Sequence, residues 1–333
     1  VQNSKWSAKV TLKASYRNTE PTFCELNPDT AACEILAKGE TDELKFDNTV
    51  DNNLRYVGSN PNNYVTFNNE PWRIIGVMNN VDDGTGKKET RLKLIRNESI
   101  GEYSWDNKAA GTGSSTSEYG SNDWTDSALQ KVLNEGAYWN RTTGECPYGQ
   151  NGAITPCDFS SNGLTTEAKE MIGNTLWNLG GTKEYFDKNT GLTNHWYAYE
   201  RDTNVYNGRL TTWFGKIGLM YPSDYGYATS GGATTNREMC LDKELYNWND
   251  SSYNECFNNN FLYVNNNQWL LTSYSDNDCN VFYIHSNGTI NRGASYITTQ
   301  QNFGLSYPVL YLKSNVKIVS GDGSHTNPYQ LSL

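Results

Sequence analysis

The chain has 333 residues, a net charge of −10 and an apolar content of 36%. An acidic balance with no basic stripe excludes nucleic acid and an anionic membrane surface as partners, and no run of 18 apolar residues exists to span a bilayer. The 23 Tyr and 10 Trp outweigh 10 Phe, which favours half-exposed rings that carry a polar edge at a binding surface. The chain opens on Val1, as expected of a trimmed product that has lost a targeting segment.

Residues 1–52 form a first segment. Trp6, Ala8, Val10, Leu12, Ala14 and Tyr16 alternate, which predicts a strand over 5–16 with one apolar face. Such an arm has to pair with something. It is followed by FCELNPDTAAC, a turn-rich stretch bracketed by Cys24 and Cys33. The main body runs over 53–313. NYVTFNNEPWRIIGVM at 63–78 predicts two strands around the Asn68-Asn69 turn, and TRLKLIR at 90–96 another after the turn DDGTGKKE. Asp82 and Asp83 beside Gly84 fit an acidic hairpin turn better than a calcium loop. DWTDSALQKVLNEG predicts a helix with Leu129, Val132 and Leu133 inward and Gly136 at its end. LTTEAKEMIGNTLWNLGG predicts a second, with Ala168, Met171, Ile172, Leu176 and Leu179 as its stripe. GKIGLMYPSDYGYATSGG reads as loop. Short strands are predicted at 269–272, 281–285, 289–291 and 308–313, with Asn287-Gly288 as a hairpin turn. Residues 314–333 predict two terminal strands around a Gly/Asp turn.

Six of the seven cysteines bracket short polar loops: Cys24 and Cys33, Cys146 and Cys157, Cys240 and Cys256. Three local disulfides and an oxidising, extracellular setting are expected. Cys279 is left as a free thiol or an intermolecular link. Spacing leaves one rival pairing open, Cys256 with Cys279. A zinc site is disfavoured by the absence of CxxC, and His195, His285 and His325 are isolated. No nucleophile elbow, metalloprotease motif or phosphate loop occurs. Neither a catalytic residue, a metal nor a cofactor is therefore expected.

NYVTFNNEPWRIIGVM, TRLKLIRNESIGEYSWDN, NDWTDSALQKVLN, WLLT and PVLYL together resemble a domain family of unknown function in surface proteins of gut Firmicutes. That resemblance covers roughly 53–313. It implies an α+β, C-type-lectin-like fold related to formylglycine-generating-enzyme-like domains, with two main helices, short antiparallel strands and long loops. The cysteine pair used by the formylglycine-generating enzymes has no counterpart, so their catalysis is not carried over. The calcium-lectin pattern is also incomplete: Trp248-Asn249-Asp250 lacks an upstream Glu-Pro-Asn. Some proteins of this fold are the variable proteins of diversity-generating retroelements, in which adenine-directed mutation turns Asn codons into Tyr, Ser, Asp, His, Cys, Phe, Leu and a few others but never Lys, Glu, Gln, Met or Trp. Every residue of SYSDNDCNVFYIHSN at 273–287 is permitted by that rule, and so is Tyr307 where the family carries arginine, whereas Gln268, Gln300 and Gln301 would be fixed positions. NNNFLYVNNN at 258–267 supports the plainer alternative that the whole chain is simply rich in Asn and Tyr.

The expected function is non-enzymatic recognition of a protein or glycan at a bacterial cell surface. The expected contact residues are Tyr274, Asp276, Asn277, Asp278, Asn280, His285, Asn291, Arg292, Tyr296, Asn302, Phe303 and Tyr307. The alternative expectation is a pilus-like filament subunit that engages neighbouring copies by adding its N-terminal strand.

Overall fold

The computed structural model describes residues 22–107, 120–296 and 304–333. The predicted arm at 5–16 lies outside them. The strands are β1 (Leu44–Phe46), β2 (Leu54–Tyr56), β3 (Tyr64–Phe67), β4 (Glu70–Asp82), β5 (Lys88–Arg96), β6 (Thr143–Pro147), β7 (Ile154–Asp158), β8 (Thr175–Asn178), β9 (Thr212–Gly215), β10 (Ile217–Gly218), β11 (Gln268–Ser273), β12 (Asn280–Ile284), β13 (Ile290–Ala294), β14 (Val309–Tyr311), β15 (Lys317–Ser320) and β16 (Tyr329–Ser332). The helices are α1 (Phe23–Leu26), α2 (Ala31–Leu36), α3 (Ala128–Asn134), α4 (Ala137–Asn140), α5 (Thr166–Met171), α6 (Thr193–Glu200), α7 (Pro222–Tyr227), α8 (Arg237–Leu241) and α9 (Asn254–Asn258). The class is α+β with sheet predominating.

A large sheet runs β10-β14-β5-β4-β3-β16-β15, with β2 added to β4 and β1 to β2. The β3–β4 turn is Asn68-Asn69, both left-handed at φ 58° and 60°, the backbone that a two-residue hairpin demands and that Asn tolerates. All pairings are antiparallel except β16 on β3. Residues 22–52 and 314–333 share one core with the body: Ala31, Ile35, Leu44, Val316 and Tyr329 pack in the same cluster as Trp72, Trp177 and Leu310. The separate sheet β11-β12-β13 and the ribbons β6-β7 and β8-β9 complete the molecule.

The first predicted helix forms as α3, capped by Ser127, whose hydroxyl accepts from the Gln130 amide. The second ends early. Thr165 caps α5, but the helix stops at Met171 and Thr175–Asn178 is strand. Gly173 fits against the guanidinium of Arg91, where an added Cβ would stand 2.6 Å from Nη1. Trp177 turns into the core against Tyr311. Tertiary packing thus overrides the helical period. The stretch read as loop holds α7, every residue of which is buried. All three predicted disulfides, Cys24–Cys33, Cys146–Cys157 and Cys240–Cys256, are formed, and Cys279 is free and buried. Such bonds belong to an oxidising, extracytoplasmic setting. Among the described residues no helix is long and apolar enough to cross a membrane.

Candidate functional site

The predicted contact residues fall in several places. Tyr274 and Asp276–Asp278 lie in the link between β11 and β12, and Asn280 opens β12. Arg292 lies on β13, directly opposite Phe282, and so on the same face of the sheet. Its guanidinium stands 4.2 Å over the ring of Tyr274. Asp276 is exposed, Asn277 and Asn280 are half-buried, and Tyr274 and Asp278 are buried. Asn277 is structural: its Oδ1 accepts from the amides of Cys279 at 3.2 Å and Asn280 at 2.8 Å. His285 belongs to the far end of the β12–β13 hairpin, where its Nδ1 accepts from the Asn287 amide. Asn291 stands opposite Tyr283, and Tyr296 is half-buried just after β13. Tyr307 is elsewhere: it is buried and lines a crevice with Arg73, Arg96 and Phe261. Asn302 and Phe303 lie outside the described residues. Tyr274 and Tyr307 both belong to the hydrophobic core, so replacing them by Ala strikes folding as well as contact; the sequence alone pictures them as free loop side chains.

An aromatic group the sequence did not single out adjoins Tyr274 and Arg292. Tyr185 packs at 5.0 Å on Phe282, and Phe186 at 3.9 Å on Tyr185. Tyr246 stands edge-on to Phe186 at 5.1 Å. Phe186 is 44% exposed. Arg292 Nε and Asp278 Oδ2 are buried with no hydrogen-bond partner among the described residues, and both groups bear on the Cys279 thiol. Buried polar atoms left without partners are uncommon, and here two of them lie beside a partly exposed aromatic shelf.

A second constellation is also invisible in the one-dimensional pattern. Arg55 on β2 faces Gly76 on β4, Gly76 faces Lys93 on β5, and Lys93 faces Tyr311 on β14. Residues directly opposite in antiparallel pairs project to one face, so this row carries two cations side by side. Gly76 belongs here because a Cβ would lie 2.5 Å from the Leu54 carbonyl. Above the row sits α7. Its Asp224 accepts from Arg55 Nη1 at 2.6 Å through Oδ1 and from Lys93 Nζ at 2.5 Å through Oδ2. Oδ2 also accepts from the Tyr221 amide at 2.9 Å. Asp47 takes the other side of Arg55, accepting from Nε at 2.9 Å.

These four charged groups are almost wholly buried. Burial works against the charge on Asp224, but Lys93 and Arg55 outweigh it and hold its pKa below the ordinary value. Lys93, desolvated and beside the rings of Tyr221, Tyr311 and Trp177, is pushed down to about 8. Glu200, at the end of α6, is fully buried. Its carboxylate accepts from the Ser223 amide at 2.9 Å and hydroxyl at 2.6 Å, and burial pushes its pKa up to about 7. A cavity of about 100 Å³ opens over the row, lined by Lys93, Asp224, Trp177, Asn178, Tyr221 and Arg201 among others.

Among the described residues no group of three or more His, Cys, Asp or Glu side chains is placed to hold a metal. Comparison with protein-family models, with curated proteins and with solved structures finds no match to this chain.

Proposed function

We propose that the protein is a non-enzymatic extracellular recognition module with a C-type-lectin-like fold, displayed at a bacterial cell surface. Its contact face is built from the β11–β12 link, β13 and the Tyr185–Phe186 shelf. The observation that carries this reading is the arrangement around Arg292. A guanidinium stacked on Tyr274 keeps an unpartnered buried Nε next to an aromatic group whose outermost ring, Phe186, is exposed. Rigid aromatic area beside adaptable Asn, Ser and Asp is the composition of a paratope-like surface. The three disulfides support the compartment.

Labelled protein applied to a glycan array and to immobilised host-surface proteins tests the proposal. Phe186→Ala and Arg292→Met are each expected to abolish binding while the melting temperature stays within a few degrees, because neither side chain is a core filler. Absence of binding to either class of probe, or retention of binding by both variants, overturns the assignment.

A further inference from the structure

We propose that Lys93 and Asp224 are a self-modifying pair, which condenses to an intramolecular Nε-(β-aspartyl)lysine amide and ties β5 covalently to α7. The two side chains are 131 residues apart in sequence and touch at 2.5 Å in a site almost closed to solvent. Nothing in the recognition face uses them.

The step balances with no co-reactant. The proton shared along the Nζ–Oδ2 hydrogen bond passes to Oδ2, leaving a neutral amine and a carboxylic acid. The Nζ lone pair attacks Cγ. The C–Oδ2 bond then breaks, and Oδ2 departs with its electron pair and a second proton from nitrogen, as water. Ammonium and carboxylate have become amide and water, and nothing is oxidised or reduced.

The surroundings favour the neutral amine, the attack and the release of water, whereas the cations beside Asp224 oppose protonation of its carboxylate. Arg55 binds Oδ1, the oxygen that stays, at 2.6 Å. It is placed to stabilise the negative charge that gathers there in the tetrahedral adduct. Asp47 neutralises Arg55 from the other side, so the charge left behind is a balanced pair. Tyr221, Tyr311 and Trp177 surround Nζ at 4.2, 5.2 and 5.6 Å from their ring centres. Such a dry wall disfavours the ammonium, in keeping with the lowered pKa of Lys93, and a neutral amine is the nucleophile required. The cavity that Lys93 and Asp224 line gives the released water a place to go. Burying an ion pair is costly to the fold, whereas the amide removes both charges and retains the Arg55 contact.

Mass spectrometry of the folded, purified chain, then denatured and disulfide-reduced, tests this. The expected mass is about 18 Da, one water, below that calculated for the unmodified chain. Proteolysis should release one branched peptide containing both Lys93 and Asp224, and Lys93→Met should restore the full calculated mass. Asp224→Asn discriminates further: Lys–Asn condensation loses ammonia, so that variant should fall about 17 Da short of its own calculated mass. Wild-type chain at full mass, with Lys93 open to an amine-acylating reagent after denaturation, overturns the proposal. So does a mass deficit that maps to any other pair. Because the decisive measurement is made on the unaltered chain, misfolding of a variant does not obscure the answer.

Discussion

Asn122 holds Tyr274 from below: its side-chain amide donates to the Tyr274 carbonyl at 2.9 Å. The same amide reaches the carbonyls of Asn277 at 2.8 Å and Asn280 at 3.1 Å, and the Asn122 main-chain amide donates to the Asp278 carbonyl. One side chain therefore fixes the whole β11–β12 link. Asn122→Ala removes the side-chain donor from the Tyr274 and Asn277 carbonyls, while Asn280 keeps the Tyr274 amide and Asp278 keeps the residue-122 main-chain amide, at an expected loss of about 2 kcal/mol. Urea unfolding checks the magnitude. Native-state hydrogen exchange checks the location, since the amides of 275–280 should exchange faster while those of β4 and β5 do not. Uniform exchange across all of these would show that Asn122 does not act locally.

Glu200 gives the fold a pH dependence of definite sign. Its folded pKa, raised to about 7 by burial, lies above its ordinary value of 4.5. Between those values the folded state retains a proton that the unfolded state has released, so stability falls as pH rises across this window and is flat above it. The full effect is on the order of 3 kcal/mol. Asp47 and Asp224, both lowered, act in the opposite sense but below pH 3.8, so the windows do not overlap. Glu200→Gln keeps an acceptor for Ser223 and removes the titration. Denaturant curves at pH 5 and pH 8 should show wild type losing stability between them and the variant losing little. Equal slopes for both proteins would mean the carboxyl is ionised throughout.

The pattern of what could be read ahead of the structure has a physical basis. Local devices were legible because they act within a few residues: the Asn68-Asn69 turn, the apolar stripe of α3, the hairpin at Asn287-Gly288 and the three short disulfide loops. The proposed contact face was half legible. Its Tyr, Asn and Asp content stands out in the sequence, but which of them point inward depends on β12 packing Phe282 against Tyr185 and Trp196. The buried network was not legible at all. Arg55, Lys93, Glu200 and Asp224 are single charges scattered over four elements, and only the cross-strand register through Gly76 and the docking of α7 bring them together. That helix escaped notice for a related reason. It is short, contains Pro222 and Gly226, and is buried on every side, so it shows no amphipathic period.

Asp47 anchors that network just after β1. It accepts from Arg55 Nε, the Asn53 amide and side chain, and Thr49. Asp47→Ala leaves Arg55 buried with half its partners gone and should cost about 3–5 kcal/mol. Asp47→Asn, which retains an acceptor, should cost distinctly less. Chemical denaturation of the two variants measures the difference. A loss below about 1 kcal/mol for the Ala variant would mean that water enters and solvates Arg55.

With the other six cysteines paired, Cys279 is the one thiol available to a thiol reagent without prior reduction. It is buried; burial above all, with Asp278 adding to it, pushes its pKa up to about 11 from an ordinary 9.0. The thiolate is the reactive form, so the native protein at pH 8 should label very slowly. After denaturation without reduction, one label per chain should appear at once, on the peptide carrying Cys279. Asn122→Ala should raise the native labelling rate, because the link that shelters the thiol is then released. Such a variant labelling no faster than wild type would show that Cys279 is shielded by β12 and β13 alone. A label on Cys240 or Cys256 would contradict the disulfide scheme itself.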